Sequence, residues 1–243
     1  NIRARTANFS GFSQESINSV LGIDNTTKEL TSIETSFNSA QSDAQYNQLI
    51  PRLLSLNVFP KSVSETRIAK SIQFLPKKED INLEIIKKAG GGSYDTNNEG
   101  DYVDAVIIWN QENIESSMTF TEFVGNYDSG VMPVVKVFEM DIRNTGNSGG
   151  SYFLIMPKLE NLGFESGVVV REDNEYVYID LTNLNSVSFY TTEDVDFTNL
   201  PAFISPGLNR LSVNDIGGSI AGEERPRWVI LILVMIFLGI AAF

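Results

Sequence analysis

The chain contains neither histidine nor cysteine, so any chemistry it performs has to come from carboxylates, lysine, tyrosine, serine or threonine. Ser–His and Cys–His nucleophile pairs, thiol chemistry, zinc centres built on those ligands and haem ligation by them are thereby excluded. Among what is left, Asp95-x-Asn97-x-Glu99-Gly100-Asp101 follows the spacing in which oxygen ligands at alternate positions converge on a hard cation such as calcium while a glycine permits the turn. The twelfth position of such a loop calls for a bidentate carboxylate, and here it is Val106. The ligand set is incomplete unless Asp104 joins it. An acidic solvated loop is therefore the favoured reading; no metal or cofactor is expected, and Asp95, Asn97, Glu99 and Asp101 are kept as the candidate ligands.

Asp128-Ser129-Gly130 has the letters of the triplet in which two carboxylates share a proton for peptide hydrolysis. It occurs once, after Asn126-Tyr127 instead of an apolar strand, and reads as a turn; no catalytic residue is assigned. Gly90-Gly91-Gly92-Ser93 lacks the Gly-Lys-Ser/Thr ending of a phosphate loop. Asn8-Phe9-Ser10 and Asn25-Thr26-Thr27 are glycosylation sequons, meaningful only on a lumenal segment.

Charge and periodicity define the elements that would carry these residues. The net charge is −13 over 243 residues, with 42% hydrophobic content. Residues 1–90 carry 11 Lys+Arg against 9 Asp+Glu, whereas residues 91–227 carry 7 against 22. So acidic a region repels phosphate backbones, which argues against nucleic acid as a partner and for basic proteins or cations.

Residues 1–89 read as mostly helical. A short helix after Ser13 ends at Gly22, and Thr26-x-x-Glu29 has capping-box spacing ahead of an apolar row at Leu30, Ile33, Phe37, Ala40 and Ala44. A helix is expected over about 27–49, closed by Pro51, and its narrow seam at Leu30, Ile33 and Phe37 is the candidate interaction surface. Ser62-x-x-Glu65 repeats the capping spacing and predicts a helix to about Phe74 with Ile68, Ala69 and Ile72 inward, while 79–89 reads as a helix or a strand. Residues 90–101 are expected to be a glycine-rich acidic linker.

From 102 the period changes to two. Val103–Trp109, Met118–Val124, Val134–Arg143, Tyr152–Met156, Val168–Glu172, Glu175–Leu181 and Val187–Thr191 read as strands, with Leu208–Val213 as an eighth. Asp173-Asn174 suits a hairpin turn, and Asn144–Gly150 a longer tip between two strands. Such a series over 102–215 predicts an antiparallel β-sandwich, jelly-roll or immunoglobulin-like.

Residues 216–227 are expected to be a Gly- and Pro-containing strap, and 228–243, WVILILVMIFLGIAAF, carry no charge. The run is expected to be a single-pass transmembrane helix of about 24 Å, somewhat short for a ~30 Å hydrocarbon core. Arg225, Arg227 and Trp228 would lie at headgroup depth, with Leu231, Phe237 and Phe243 in the bilayer. Those arginines favour a tail-anchored topology with the acidic region on the cytoplasmic or capsid-facing side. Gly217-Gly218-Ser219, a spacer and an apolar tail also fit a lipid-anchor attachment signal.

No motif points to a named family. The layout, a sandwich tethered by one terminal helix, resembles membrane-linked minor structural proteins of icosahedral viruses with an internal bilayer, and equally cell-surface adhesion modules. It implies a non-enzymatic membrane-anchored structural or interaction protein that ties a large assembly, such as a viral shell, to a bilayer. A calcium-dependent binding module and a carboxylate-dependent hydrolase are the competing readings.

Overall fold

The computed structural model describes residues 6–9, 11–56, 58–146, 149–195 and 200–213. The helices are α1 (Gly11–Val20), α2 (Ile23–Ser39), α3 (Asp43–Leu54), α4 (Leu83–Gly90) and α5 (Glu99–Asn113). The strands are β1 (Ser62–Gln73), β2 (Ile114–Tyr127), β3 (Gly130–Asn144), β4 (Tyr152–Pro157), β5 (Gly163–Phe164), β6 (Val170–Glu172), β7 (Tyr176–Asp180), β8 (Ser186–Thr191) and β9 (Phe203–Pro206). They form two antiparallel sheets, one ordered β1-β2-β3-β8-β5 and the other β6-β7-β4-β9.

Side-chain alternation explains why the sheets face each other. Met118 and Phe120 on β2, Phe138, Met140 and Ile142 on β3, and Val187 and Phe189 on β8 point into one apolar layer, which they share with Leu154 and Met156 on β4, Val177 and Ile179 on β7, and Ile204 on β9. Phe138 stacks on Phe189 with centroids 4.9 Å apart. As the spacing predicts, Glu139, Asp141 and Arg143 alternate outward from this layer.

The outer faces are covered in part by helices. On the second sheet Phe153, Ile155, Tyr178 and Phe203 pack against Leu83, Ile85, Ile86 and Ala89 of α4 and Val106 of α5. On the first, Ile17 of α1, with Leu21 and Ile23, packs on Val63, Phe123, Val134, Val135 and Val137. The continuous buried run Val134–Phe138 and the all-buried Tyr152–Met156 follow, since strands covered on both faces lose alternation.

Several expected elements differ. Residues 62–73 form β1, not a helix: β2 supplies an antiparallel partner from Ser62↔Asn126 to Gln73↔Ser117, and that ladder outweighs a local capping signal. The expected inward set Ile68, Ala69 and Ile72 lies outside the described side chains. Val103–Trp109 is not a strand but part of α5, whose buried residues Ala105, Val106, Trp109, Asn110 and Asn113 recur at helical spacing. Of the two readings of 79–89 the helix holds from Leu83, capped by Asn82, whose side chain accepts from the Ile85 N–H at 3.2 Å. Leu208–Val213 contains a 3-10 turn at Leu208–Arg210, and the last strand is Phe203–Pro206. Asn144–Gly150 links strands of different sheets, whereas Asp173-Asn174 does join the antiparallel pair β6 and β7.

Gly90–Gly92, expected to be a linker, is a close-packed crossing. A Cβ on Gly90 would lie 2.6 Å from the Gly207 Cα and 2.8 Å from the Phe153 ring, and the Leu208 N–H donates to the Gly91 carbonyl at 3.1 Å. The strap, the arginine collar Arg225 and Arg227, and the anchor residues Trp228, Leu231, Phe237 and Phe243 lie outside the described residues. Among the described residues no helix is long and apolar enough to cross a membrane.

Candidate functional site

The acidic candidates are strung out along the chain. Asp95 caps a 3-10 turn at Thr96–Asn98, its Oδ1 accepting from the Asn97 backbone and side-chain nitrogens, both at 2.9 Å. Glu99 and Asp101 lie in the first turn of α5, where carboxylates complement the positive end of the helix dipole. Asp104, one turn on, pairs with Lys78. All four candidate ligands are exposed, and among the described residues no group of three or more acidic side chains gathers as a metal site would require. Asp128 lies in the turn between β2 and β3, largely exposed and paired with Lys61. Asn8 and Asn25 are exposed as well.

The seam residues occupy a different kind of surface. The helix expected over 27–49 is broken at Ala40, which is extended at φ −69° and ψ 137°, and the chain folds back as α3. Ser42 begins that helix: its hydroxyl accepts from the Gln45 N–H at 3.4 Å, while the Gln45 Oε1 accepts from the Gln41 N–H at 2.7 Å. This is a variant of the capping box in which the glutamine reaches the N–H before the cap instead of that of the cap itself. Pro51 sits inside α3 near its end instead of closing it, and the Ser55 N–H still reaches the Pro51 carbonyl at 3.0 Å. At the other end Gly22 adopts φ 63°, a left-handed turn that glycine makes without strain and that lets α2 follow α1 directly.

Two contacts fix the register of the hairpin. The Arg52 Nε donates to the Glu29 Oε1 at 2.8 Å, and the Arg52 guanidinium holds the Glu29 carboxyl below its ordinary value. Toward the tip, Phe37 meets Tyr46 edge to face at 5.2 Å. Between these contacts Ile33 comes level with Leu49, and both are buried. The rest of the seam is open: Leu30 is 45% and Phe37 56% exposed, and α3 adds Tyr46 at 38%, Ile50 at 52% and Leu53 at 50%. The α3 contribution went unread in the sequence because one straight helix carries its far end away, whereas the break at Ala40 brings it back alongside.

Charged ties hold the helices to the sheets. The Lys88 Nζ donates to the Asp173 Oδ2 at 2.8 Å, joining α4 to the β6–β7 turn. The Arg171 guanidinium lies over the Phe153 and Tyr178 rings at 5.2 and 5.6 Å and donates to the Ala89 carbonyl at 3.2 Å, near the C-terminus of α4 where a cation is favoured. Lys136, buried on β3, donates to the Asp194 Oδ1 at 2.5 Å and faces the Glu122 carboxylate at 3.8 Å. These are structural pairs, each lysine matched by carboxylates.

α1 and the last described residues lie toward opposite ends of β3. α1, from which the hairpin springs, covers β3 at Val134–Val137. Arg210, close to the last described residue, donates to the Ser151 carbonyl at 2.9 Å in the loop that follows β3. From Val134 to Asn144 the strand advances roughly 33 Å at about 3.3 Å per residue. Comparison with family models, with characterised proteins and with solved structures returns no match, so surface geometry and sequence carry the functional reading.

Proposed function

We propose that this chain is a non-enzymatic, membrane-anchored structural or interaction protein that ties a large assembly to a bilayer. The observation that carries the reading is the opposition of ends. α1, which leads into the apolar hairpin, covers one end of β3, Arg210 is bonded beyond the other, and the sequence continues to Trp228–Phe243, sixteen residues without a charge. Such a run inserts favourably, its leucine, isoleucine, valine and phenylalanine side chains contributing roughly −0.3 to −0.6 kcal/mol each.

The two sheets between those ends are a stiff spacer, buried on both faces where helices cover them. Their acidic surface suits a basic neighbour, whose attraction weakens as salt rises. A viral shell enclosing an internal membrane is the assembly this layout fits best, with the acidic region facing the shell. The scaffold is a two-sheet sandwich, and the strand order β1-β2-β3-β8-β5 opposite β6-β7-β4-β9 is the criterion for matching a jelly-roll or immunoglobulin-like relative to it.

Flotation with lipid vesicles tests the anchor. The full chain should float and resist extraction by alkaline carbonate, and a chain recovered wholly in the soluble fraction overturns the reading. Protease protection in sealed vesicles tests sidedness, with residues 1–220 expected to be digested from the outside.

A further inference from the structure

We propose that the apolar face of the α2–α3 hairpin is a self-association surface, on which a second copy of the chain lays its own hairpin to complete a four-helix bundle. The inference rests on the reading of the chain as an interaction protein and names the partner of one of its surfaces.

A two-helix hairpin cannot enclose its own apolar residues. Of those between α2 and α3, Ile33 and Leu49 are buried, while Leu30, Phe37, Tyr46, Ile50 and Leu53 are left about half exposed. Along α2 the row Ile23, Thr26, Leu30, Ile33 and Phe37 advances by three and four, and along α3 Tyr46, Leu49, Ile50 and Leu53 do the same. Each helix thus presents the stripe that faces the centre of a bundle, and the hairpin is half of one. The register set by Glu29–Arg52 and Phe37–Tyr46 holds both stripes on one side.

Area and charge select a twin as the occupant. The open side chains offer on the order of 450 Å² of apolar surface per chain; burying it on both partners, with the rim around it, brings the interface to the roughly 1,000 Å² that a specific contact has to clear. The chain carries a net charge of −13, so two copies repel each other over most of their surface. The hairpin is where they can meet: from Leu30 to Ile50 the charged residues are Glu34 and Asp43 alone. A basic partner would find almost no carboxylates here and many on the sandwich. A two-fold axis makes the contact self-complementary and closed, the commonest arrangement of identical chains.

Because the chain is free of cysteine, single cysteines report the contact without background. Leu30→Cys and Ile50→Cys on the face, and Thr31→Cys on the opposite exposed side of α2, are made in the full-length chain in detergent and treated with a short bis-maleimide. Covalent dimer is expected at several-fold higher yield from the two face positions than from Thr31→Cys, and light scattering should give twice the chain mass for the unmodified protein. Ile50→Lys should halve that mass with the circular dichroism spectrum unchanged. A wild-type chain monomeric at tens of micromolar, with equal cross-linking at all three positions, overturns the proposal. So does an intramolecular cross-link in the doubly substituted chain Ile50→Cys/Leu231→Cys, which would make the chain's own tail the occupant. Flotation is indifferent to dimer yield and mass, so the dimer can fail while the anchor stands, and the reverse.

Discussion

Lys88 and the backbone N–H groups of Glu175 and Tyr176 all bond the Asp173 carboxylate, and together they lower its pKa from the usual 3.8 to about 2, the lysine contributing most. A carboxyl lowered on folding stabilises the fold above its unfolded pKa, near 4, and that contribution disappears as the pH falls toward the folded value. Asp173→Asn should therefore melt below the wild type at neutral pH, and the gap should close between about pH 4 and pH 2. Calorimetry across that window checks it, and a constant gap would mean that the carboxylate's charge is irrelevant. Glycines give a second test at this scale. Gly90→Ala forces a methyl against the Gly207 Cα and the Phe153 ring and should cost about 1–3 kcal/mol, the range for overpacking. Gly100→Ala meets nothing within 4 Å in the first turn of α5, and should stabilise by up to about 1 kcal/mol through the unfolded chain. Urea denaturation of the pair separates crowding from backbone entropy.

Elements were legible in the sequence where one periodicity dominated. Phe138, Met140 and Ile142 alternate cleanly with charges, so β3 could be read with its buried face. β1 could not, because Ser62-x-x-Glu65 is a genuine helix-start spacing that lost to a long ladder with β2, and no local signal records that partner. α5 failed for a related reason: its β-branched Val103, Val106, Ile107 and Ile108 suit a strand, and the acidic residues that mark its N-terminus read as a solvated linker. The candidate surface was half legible. Leu30, Ile33 and Phe37 stood out by spacing, but the Ser42-x-x-Gln45 box that turns the chain back was hidden under an apolar row running on through Ala40 and Ala44. That box gives the element-scale prediction. Ser42→Ala should cost about 1 kcal/mol, the usual penalty for losing a side-chain cap, and hydrogen exchange should show the loss in the α3 amides with β3 unaffected. Equal loosening of both would mean that hairpin and sheets unfold as one unit.

At the scale of the whole molecule, helices sit on two sheets at opposite places: α1 on the first sheet near Val134, α4 and α5 on the second. The layering leaves β9 on the edge of its sheet, four residues paired to β4 alone, and after it the chain passes Gly91 and Arg210 before leaving the described region. If the far end of the chain is held in a bilayer, this order becomes a load path. Tension arriving at Val213 meets the Arg210 guanidinium clasped by the Gly149 and Ser151 carbonyls, then the Leu208 N–H bonded to the Gly91 carbonyl, and only after both the short edge strand. In an optical trap that pulls on the C-terminus, Arg210→Ala should lower the first rupture force while leaving the chemical stability of the sheets close to wild type, and an unchanged force would remove the clasp from that path. The glycine crossing would then be the mooring point of the molecule, where a short run of polar contacts shields an edge strand from being peeled away.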